Sequence, residues 1–180
     1  GNGTEVDIHK GLGLITEAFT KDDLNRLKGH IAIGHVRYST TGSTKVENAQ
    51  PLLASSKLGH IAMAHNGNLV NADVIRDLLE DGGHVFHTTI DSEVIATLIA
   101  RGAKRGIERA VVDAIQAVRG SFAMVIATKD KLIGARDPHG IRPLCIGKVD
   151  DAYVMSSESC ALDAVGAEFV RDVEPGEVVV

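Results

Sequence analysis

The order of patterns along this chain predicts an α+β domain built on antiparallel sheet, and three observations carry that prediction. Short runs rich in Ile, Val and Ala recur toward both ends, separated by glycine-bearing or charged turns. Segments with helical periodicity lie between them. In the second half, Lys129-Asp130-Lys131, Asp150-Asp151 and Glu174-Pro175-Gly176 separate successive strand-like runs and read as hairpins. Strands, then paired helices, then strands suits antiparallel sheets with helices packed outside them, rather than a doubly wound parallel sheet.

Taken in order, strands are expected at about 6–9, 30–37, 52–56, 60–65, 121–128, 132–136, 144–149, 152–156, 167–173 and 177–180. Helices are expected at about 21–28, 72–81, 91–102, 106–119 and 158–165. Thr20 is suited to cap the first helix and Asn71 the second. Val94, Ile95, Leu98 and Ile99 form a stripe at helical spacing in the third. Ile107, Val111, Ile115 and Val118 repeat it in the fourth, which Gly120 is placed to end. His30-Ile31-Ala32-Ile33-Gly34-His35 echoes His60-Ile61-Ala62-Met63-Ala64-His65. In each run one face carries only Ala or Gly, which lets another layer approach closely, and two such strands ending side by side would bring Arg37 and Asn66 to one rim.

Composition narrows the function classes. The chain has 180 residues, 44 % hydrophobic and 24 % charged, which is ordinary for one globular domain with a proper core. A net charge of −5 without long Lys/Arg runs gives no footprint for nucleic acid. No apolar stretch approaches the ~20 residues that span a bilayer, so no membrane role is expected. Two cysteines, Cys145 and Cys160, make no disulfide framework, and a cytoplasmic location is the default. Cys145 reads as structural and Cys160 as a buried, inert thiol near a helix start. Asn2-Gly3-Thr4 is taken as a chance sequon. His84 and His87 lack a third ligand at a sensible spacing, so no metal site is expected. Gly11-Leu12-Gly13 lacks the third glycine of a dinucleotide fingerprint.

Two stretches carry the chemistry: Gly34-His35-Val36-Arg37-Tyr38-Ser39-Thr40 and Ala64-His65-Asn66-Gly67-Asn68. Arg37 offers a planar fork for a carboxylate, with the hydroxyls of Tyr38, Ser39 and Thr40 nearby; the plainer reading is a surface ion pair. The Asn66 carboxamide and Gly67 amide are neutral donors suited to an oxyanion, or else simply an Asn-Gly turn. His65 reads as a packed strand histidine. Asp91 either caps its helix or binds an ammonium group. Together, Arg37, Asp91, Asn66 and Gly67 describe a site for an amino acid with a reactive side-chain amide. Arg136-Asp137-Pro138-His139-Gly140-Ile141-Arg142-Pro143-Leu144 reads as a structural turn between strands.

These motifs resemble the class II (N-terminal nucleophile) glutamine amidotransferase family, and most closely the glutaminase domain of its amidophosphoribosyltransferase branch. The resemblance runs from His9-Lys10-Gly11-Leu12-Gly13-Leu14 through Gly34-His35-Val36-Arg37-Tyr38, Asn48-Ala49-Gln50-Pro51-Leu52, Ala64-His65-Asn66-Gly67-Asn68-Leu69 and Asp91-Ser92-Glu93-Val94. It closes with the 137–144 turn, Ser157-Glu158-Ser159-Cys160 and Val173-Glu174-Pro175-Gly176-Glu177. It implies a four-layer αββα sandwich, two antiparallel sheets between helices, and hydrolysis of glutamine to glutamate and ammonia. Asn66 and Gly67 would form the oxyanion hole. Arg37 would bind the substrate carboxylate, Asp91 its amino group, and Tyr38 and Thr40 would line the pocket.

In the family the nucleophile is a cysteine at the first position of the mature chain, with its own α-amine as base. This sequence starts at Gly1, inside the family pattern, so the resemblance implies a partial domain, 1–180, of a larger enzyme, inactive alone. Its parent would pass ammonia to phosphoribosyl pyrophosphate in the first step of de novo purine synthesis. The implied partners are glutamine, a phosphoribosyltransferase domain of the same parent, and further copies in a homo-oligomer. No cofactor is implied for these residues. The parent would use magnesium with phosphoribosyl pyrophosphate, and an iron–sulfur cluster outside the segment stays open. Two rival readings are the glutaminase domain of the glucosamine-6-phosphate-forming aminotransferase and a non-catalytic glutamine-binding module.

Overall fold

A computed structural model describes residues 1–37 and 45–180. Two antiparallel sheets face each other, with helices on both outer faces. Chain order begins with two short helices, α1 (Ile15–Ala18) and α2 (Lys21–Arg26). Thr20 caps α2 as expected: its hydroxyl accepts from Asp23 N at 3.2 Å while the Asp23 carboxylate accepts from Thr20 N at 3.0 Å. Strands β1 (Leu52–Ser56) and β2 (Gly59–Leu69) then form a hairpin. Helices α3 (Ala72–Asp81), α4 (Ser92–Gly102) and α5 (Ile107–Ala117) follow. The second half holds β3 (Gly120–Ala127), β4 (Leu132–Arg136), β5 (Cys145–Val149), β6 (Ala152–Ser156), α6 (Ser159–Val165), β7 (Glu168–Asp172) and β8 (Val178–Val179).

The first sheet has the order β1-β2-β3-β4-β8 and the second β6-β5-β7. Period-two alternation explains the layering. Phe122, Met124 and Ile126 of β3 join Ile61 and Met63 of β2, Ile133 of β4, and Val94, Ile95, Ile99, Val111 and Ala114 of the helices in one core. The opposite face of β3, Ala123 and Val125, packs with Leu144, Ile146, Met155 and Val173 between the sheets. Outside the second sheet, Leu162 of α6 packs on Cys145, Val149 and Val154. The four-layer αββα order therefore follows from three apolar interfaces. Small residues set the spacing: a Cβ on Gly134 would crowd Met155 of the facing sheet, and one on Gly102 would stand 3.2 Å from Ala110 Cβ.

Several expectations need correction. Residues 6–9 and 30–37 form no strand, because a strand needs a ladder of partners and these runs do not have one. The bonds at 30–31 are isolated ones, Gly1 N to Ile31 O at 2.7 Å and His30 N to Gly1 O at 3.1 Å. The turn at 174–176 is not a hairpin: β7 pairs with β5 in one sheet and β8 with β4 in the other, so the chain crosses between sheets there. Asn71 does not cap α3; its carboxamide bridges Ala117 O (3.1 Å) and Arg119 N (2.7 Å). Gly120 opens β3 with φ 135° instead of ending α5, whose C-cap is Val118. Cys160 is exposed, while Cys145 is buried and its thiol is pushed up by burial and by the nearby Asp172 carboxylate.

Candidate active site

The site is built around the last five residues of β2. β1 pairs with β2 only as far as Met63, after which no strand among the described residues lies beside that edge of β2. Side chains take over. The Gln50 carboxamide donates to His65 O (3.0 Å) and accepts from His65 N (2.7 Å), imitating a strand neighbour. Four residues on, Asp91 Oδ2 accepts from Leu69 N at 2.9 Å. Alternation places the Gly67 N–H on this same edge, between Gln50 and Asp91. Gly67 sits at φ 148°, opposite Phe122 in register. A Cβ there would lie 2.9 Å from His65 Nε2 and Phe122 Cα, and nearer still to the Ser121 carbonyl, so only glycine fits.

Asp91 opens α4 without capping it; its carboxylate turns to β2 instead. The loop delivering it is braced on three sides. Glu93 accepts from His87 N (2.9 Å) and Thr88 N (2.7 Å), Arg76 donates to Thr88 O (3.2 Å) and Ile90 O (3.1 Å), and buried Asn48 exchanges bonds with Thr89. Asp91 stays partly open to solvent, so lone pairs remain for a ligand cation. His65 is buried, with Nδ1 2.9 Å from Ser92 Oγ and 3.9 Å from Asp91 Oδ1. Burial pushes its pKa down, against the attraction of Asp91 and a backbone contact from Ser121. It is a packed strand histidine, as expected.

Asn66 points to the opposite face of β2, into a cavity of about 150 Å³ between the sheets. Its Oδ1 lies 3.0 Å from His35 Nε2, and its Nδ2 donates to Ser157 Oγ at 3.0 Å. This contact brings the 34–37 segment beside β2 although 30–37 is not a strand. Arg37, two residues beyond His35, is exposed and close enough to help lower the His35 pKa, burial being the larger cause. Tyr38 and Thr40 lie outside the described residues. Asn66, Gly67, Asp91 and Arg37 thus gather around one strand end.

Sequence reasoning missed the supports. Gln50, His35 and Ser157 each sit in motifs quoted above, yet nothing local marks their targets. The 136–144 turn is structural as expected. Fully buried Asp137 accepts from Phe122 N (3.3 Å), His139 N (2.9 Å), Ile141 N (3.2 Å) and Arg142 N (3.0 Å). Burial alone would raise its carboxyl, but these four donors outweigh it and hold the group below the ordinary range. Arg136 ties the same turn by donating to Arg142 O, Gly140 O and Val173 O at 2.7–2.8 Å. Among the described residues, no cluster of three or more His, Cys, Asp or Glu is arranged to hold a metal ion, and no helix is long and apolar enough to cross a membrane.

Known proteins similar to this chain are amidophosphoribosyltransferases. The chain is 48 % identical over 175 residues to the amidophosphoribosyltransferase of Archaeoglobus fulgidus, covering 95 % of this chain and 38 % of that protein. It is 47 % identical over 180 residues to that of Bacillus subtilis, covering 99 % and 38 %. Among solved structures, the glutamine phosphoribosylpyrophosphate amidotransferase of B. subtilis, complexed with ADP and GMP, superposes with a TM-score of 0.91 at 47 % identity, over 98 % of this chain and 38 % of that one. A structure described as the allosteric regulatory enzyme of purine biosynthesis gives 0.93 with the same coverage. The chain therefore spans about 38 % of the length of these relatives. The model described as "Glutamine amidotransferase domain" matches residues 35–164, which takes in the cavity, the strand end and the Asp91 loop alike, and the chain belongs to that family.

Proposed function

We propose that residues 1–180 form part of a single glutaminase domain that releases ammonia from glutamine within an amidophosphoribosyltransferase. The observation that carries this reading is the convergence of segments 34–37, 65–69 and 91–92 on one strand end. Free glutamine presents a carboxylate, an ammonium and a side-chain carboxamide. Arg37 suits the first by bidentate pairing. Asp91, held by Leu69 N and still open to solvent, suits the second. When a nucleophile adds to the amide carbon, charge collects on the carbonyl oxygen. An N–H of Asn66 and the Gly67 N–H stabilise it, one such donor contributing roughly 3 kcal/mol of barrier lowering. Collapse expels ammonia, and water then releases glutamate.

Neither cysteine in the sequence suits the attack: Cys145 is buried with a raised pKa, and Cys160 lies on α6, outside the second sheet. We assign the nucleophile to the family's N-terminal cysteine, in sequence beyond these residues. The rest of such a parent would bind phosphoribosyl pyrophosphate and consume the ammonia in the first step of purine synthesis, as a cytoplasmic homo-oligomer. The relatives' names favour this branch over the glucosamine-6-phosphate-forming one. In the full-length protein, Arg37→Ala should abolish glutamine-dependent synthesis and spare synthesis from added ammonia. Unchanged glutamine kinetics would refute the carboxylate assignment.

A further inference from the structure

We propose that His35 and Ser157 are positioning residues that clamp the Asn66 carboxamide, His35 at its oxygen and Ser157 at its nitrogen, so that one N–H is committed and the other serves the oxyanion. The inference rests on the glutamine-hydrolysing reading above. The three residues come from separate parts of the chain: the segment before residue 38, the end of β2, and the turn after β6. Both contacts measure 3.0 Å. All three line the same cavity of about 150 Å³, beside the backbone that carries Gly67.

The clamp answers a definite chemical need. Rotation about the terminal torsion of an asparagine is nearly two-fold, so an unrestrained carboxamide exchanges N for O. A flipped Asn66 would turn a carbonyl lone pair toward developing negative charge and would repel it. Ser157 cannot prevent this alone, because a hydroxyl both donates and accepts. His35 can with its proton on Nε2, because that nitrogen then only donates and faces the Asn66 oxygen. Burial, aided by the Arg37 charge, keeps the imidazole unprotonated. In the clamp the proton sits on Nε2, 3.0 Å from Asn66 Oδ1, which accepts it. The tautomer thus selects which end of the carboxamide faces Ser157.

The test uses the full-length protein and steady-state glutamine hydrolysis. Ser157→Ala and His35→Leu should each lower kcat about 10- to 50-fold with KM for glutamine within threefold, a fraction of the 10²- to 10³-fold attached to losing an oxyanion donor outright. Ser157→Thr, which keeps the hydroxyl, and His35→Gln, whose amide nitrogen replaces Nε2, should recover to within about fivefold. In an Asn66→Ala background, Ser157→Ala and His35→Leu should cost less than twofold, an outcome that general loss of folding would not give. If Asn66→Ala cripples hydrolysis while Ser157→Ala and His35→Leu retain kcat within twofold, the clamp is wrong and the glutaminase reading stands. Undiminished additive losses in the Asn66→Ala background also overturn it. If the intact protein does not hydrolyse glutamine, or Asn66→Ala changes nothing, the glutaminase reading fails and takes the clamp with it.

Discussion

Asp137→Asn should be among the costliest single-atom changes in this chain. Its two carboxylate oxygens each accept two backbone N–H groups: Oδ1 from His139 and Ile141, Oδ2 from Phe122 and Arg142. Asparagine keeps one oxygen. Its amide nitrogen would face the other pair of N–H groups, donor against donor, with no solvent to relieve them. Losing two charge-assisted bonds at about 1.5–3 kcal/mol each gives roughly 3–6 kcal/mol. The neutral side chain recovers some desolvation, so about 3–5 kcal/mol remains. Urea denaturation at neutral pH, wild type against variant, measures the difference. Acid supplies a second arm. The wild-type carboxyl is held below the ordinary 3.8, so its stabilisation is present above that pH and fades as pH falls through the lower folded-state pKa. The variant lacks that component. A destabilisation under 1 kcal/mol, with acid dependence matching wild type, would refute the argument that one carboxylate organises the turn from within.

Two further outcomes are expected. Gln50→Ala should remove both bonds to His65 and leave its N–H unpaired at the bare edge of β2, costing about 2 kcal/mol and raising KM for glutamine several-fold; an unchanged KM and unfolding midpoint would contradict the strand-substitute role. His65 resists protonation in the folded state, whereas an unfolded chain takes up a proton near pH 6.5. Stability should therefore fall as pH drops below about 6.5, and His65→Gln should flatten that slope in denaturation at pH 5 to 7.

The legible part of the fold was the part set by local pattern. β1, β3, β4, β5 and β6 and the helices from α2 onward lie within a few residues of their expected positions, because alternation, helical spacing and turn chemistry act over short distances. The failures share one cause, which is that the competing partner is remote in sequence. Residues 30–37 look like a strand, yet pairing depends on what lies alongside. Gly120 and Asn71 have the chemistry of caps but serve the junction between α5 and β3. The turn at 174–176 is chemically a turn, and only tertiary packing decides that it joins two different sheets. For the site, the residue types at 37, 66, 67 and 91 suggested what they could bind. The clamp of His35 and Ser157 on Asn66, the latter bond spanning 91 positions, left no local trace.

The strand edge beyond Met63 has an implication for how such a pocket diversifies. An ordinary sheet neighbour is anonymous: its peptide groups bond identically whatever the side chains. Here the backbone of β2 is instead satisfied by Gln50 and Asp91, so each bond depends on one codon. Substrate preference can drift through single replacements at these positions without disturbing the sheet beneath, and a scaffold of this kind keeps its architecture while its chemistry is retuned.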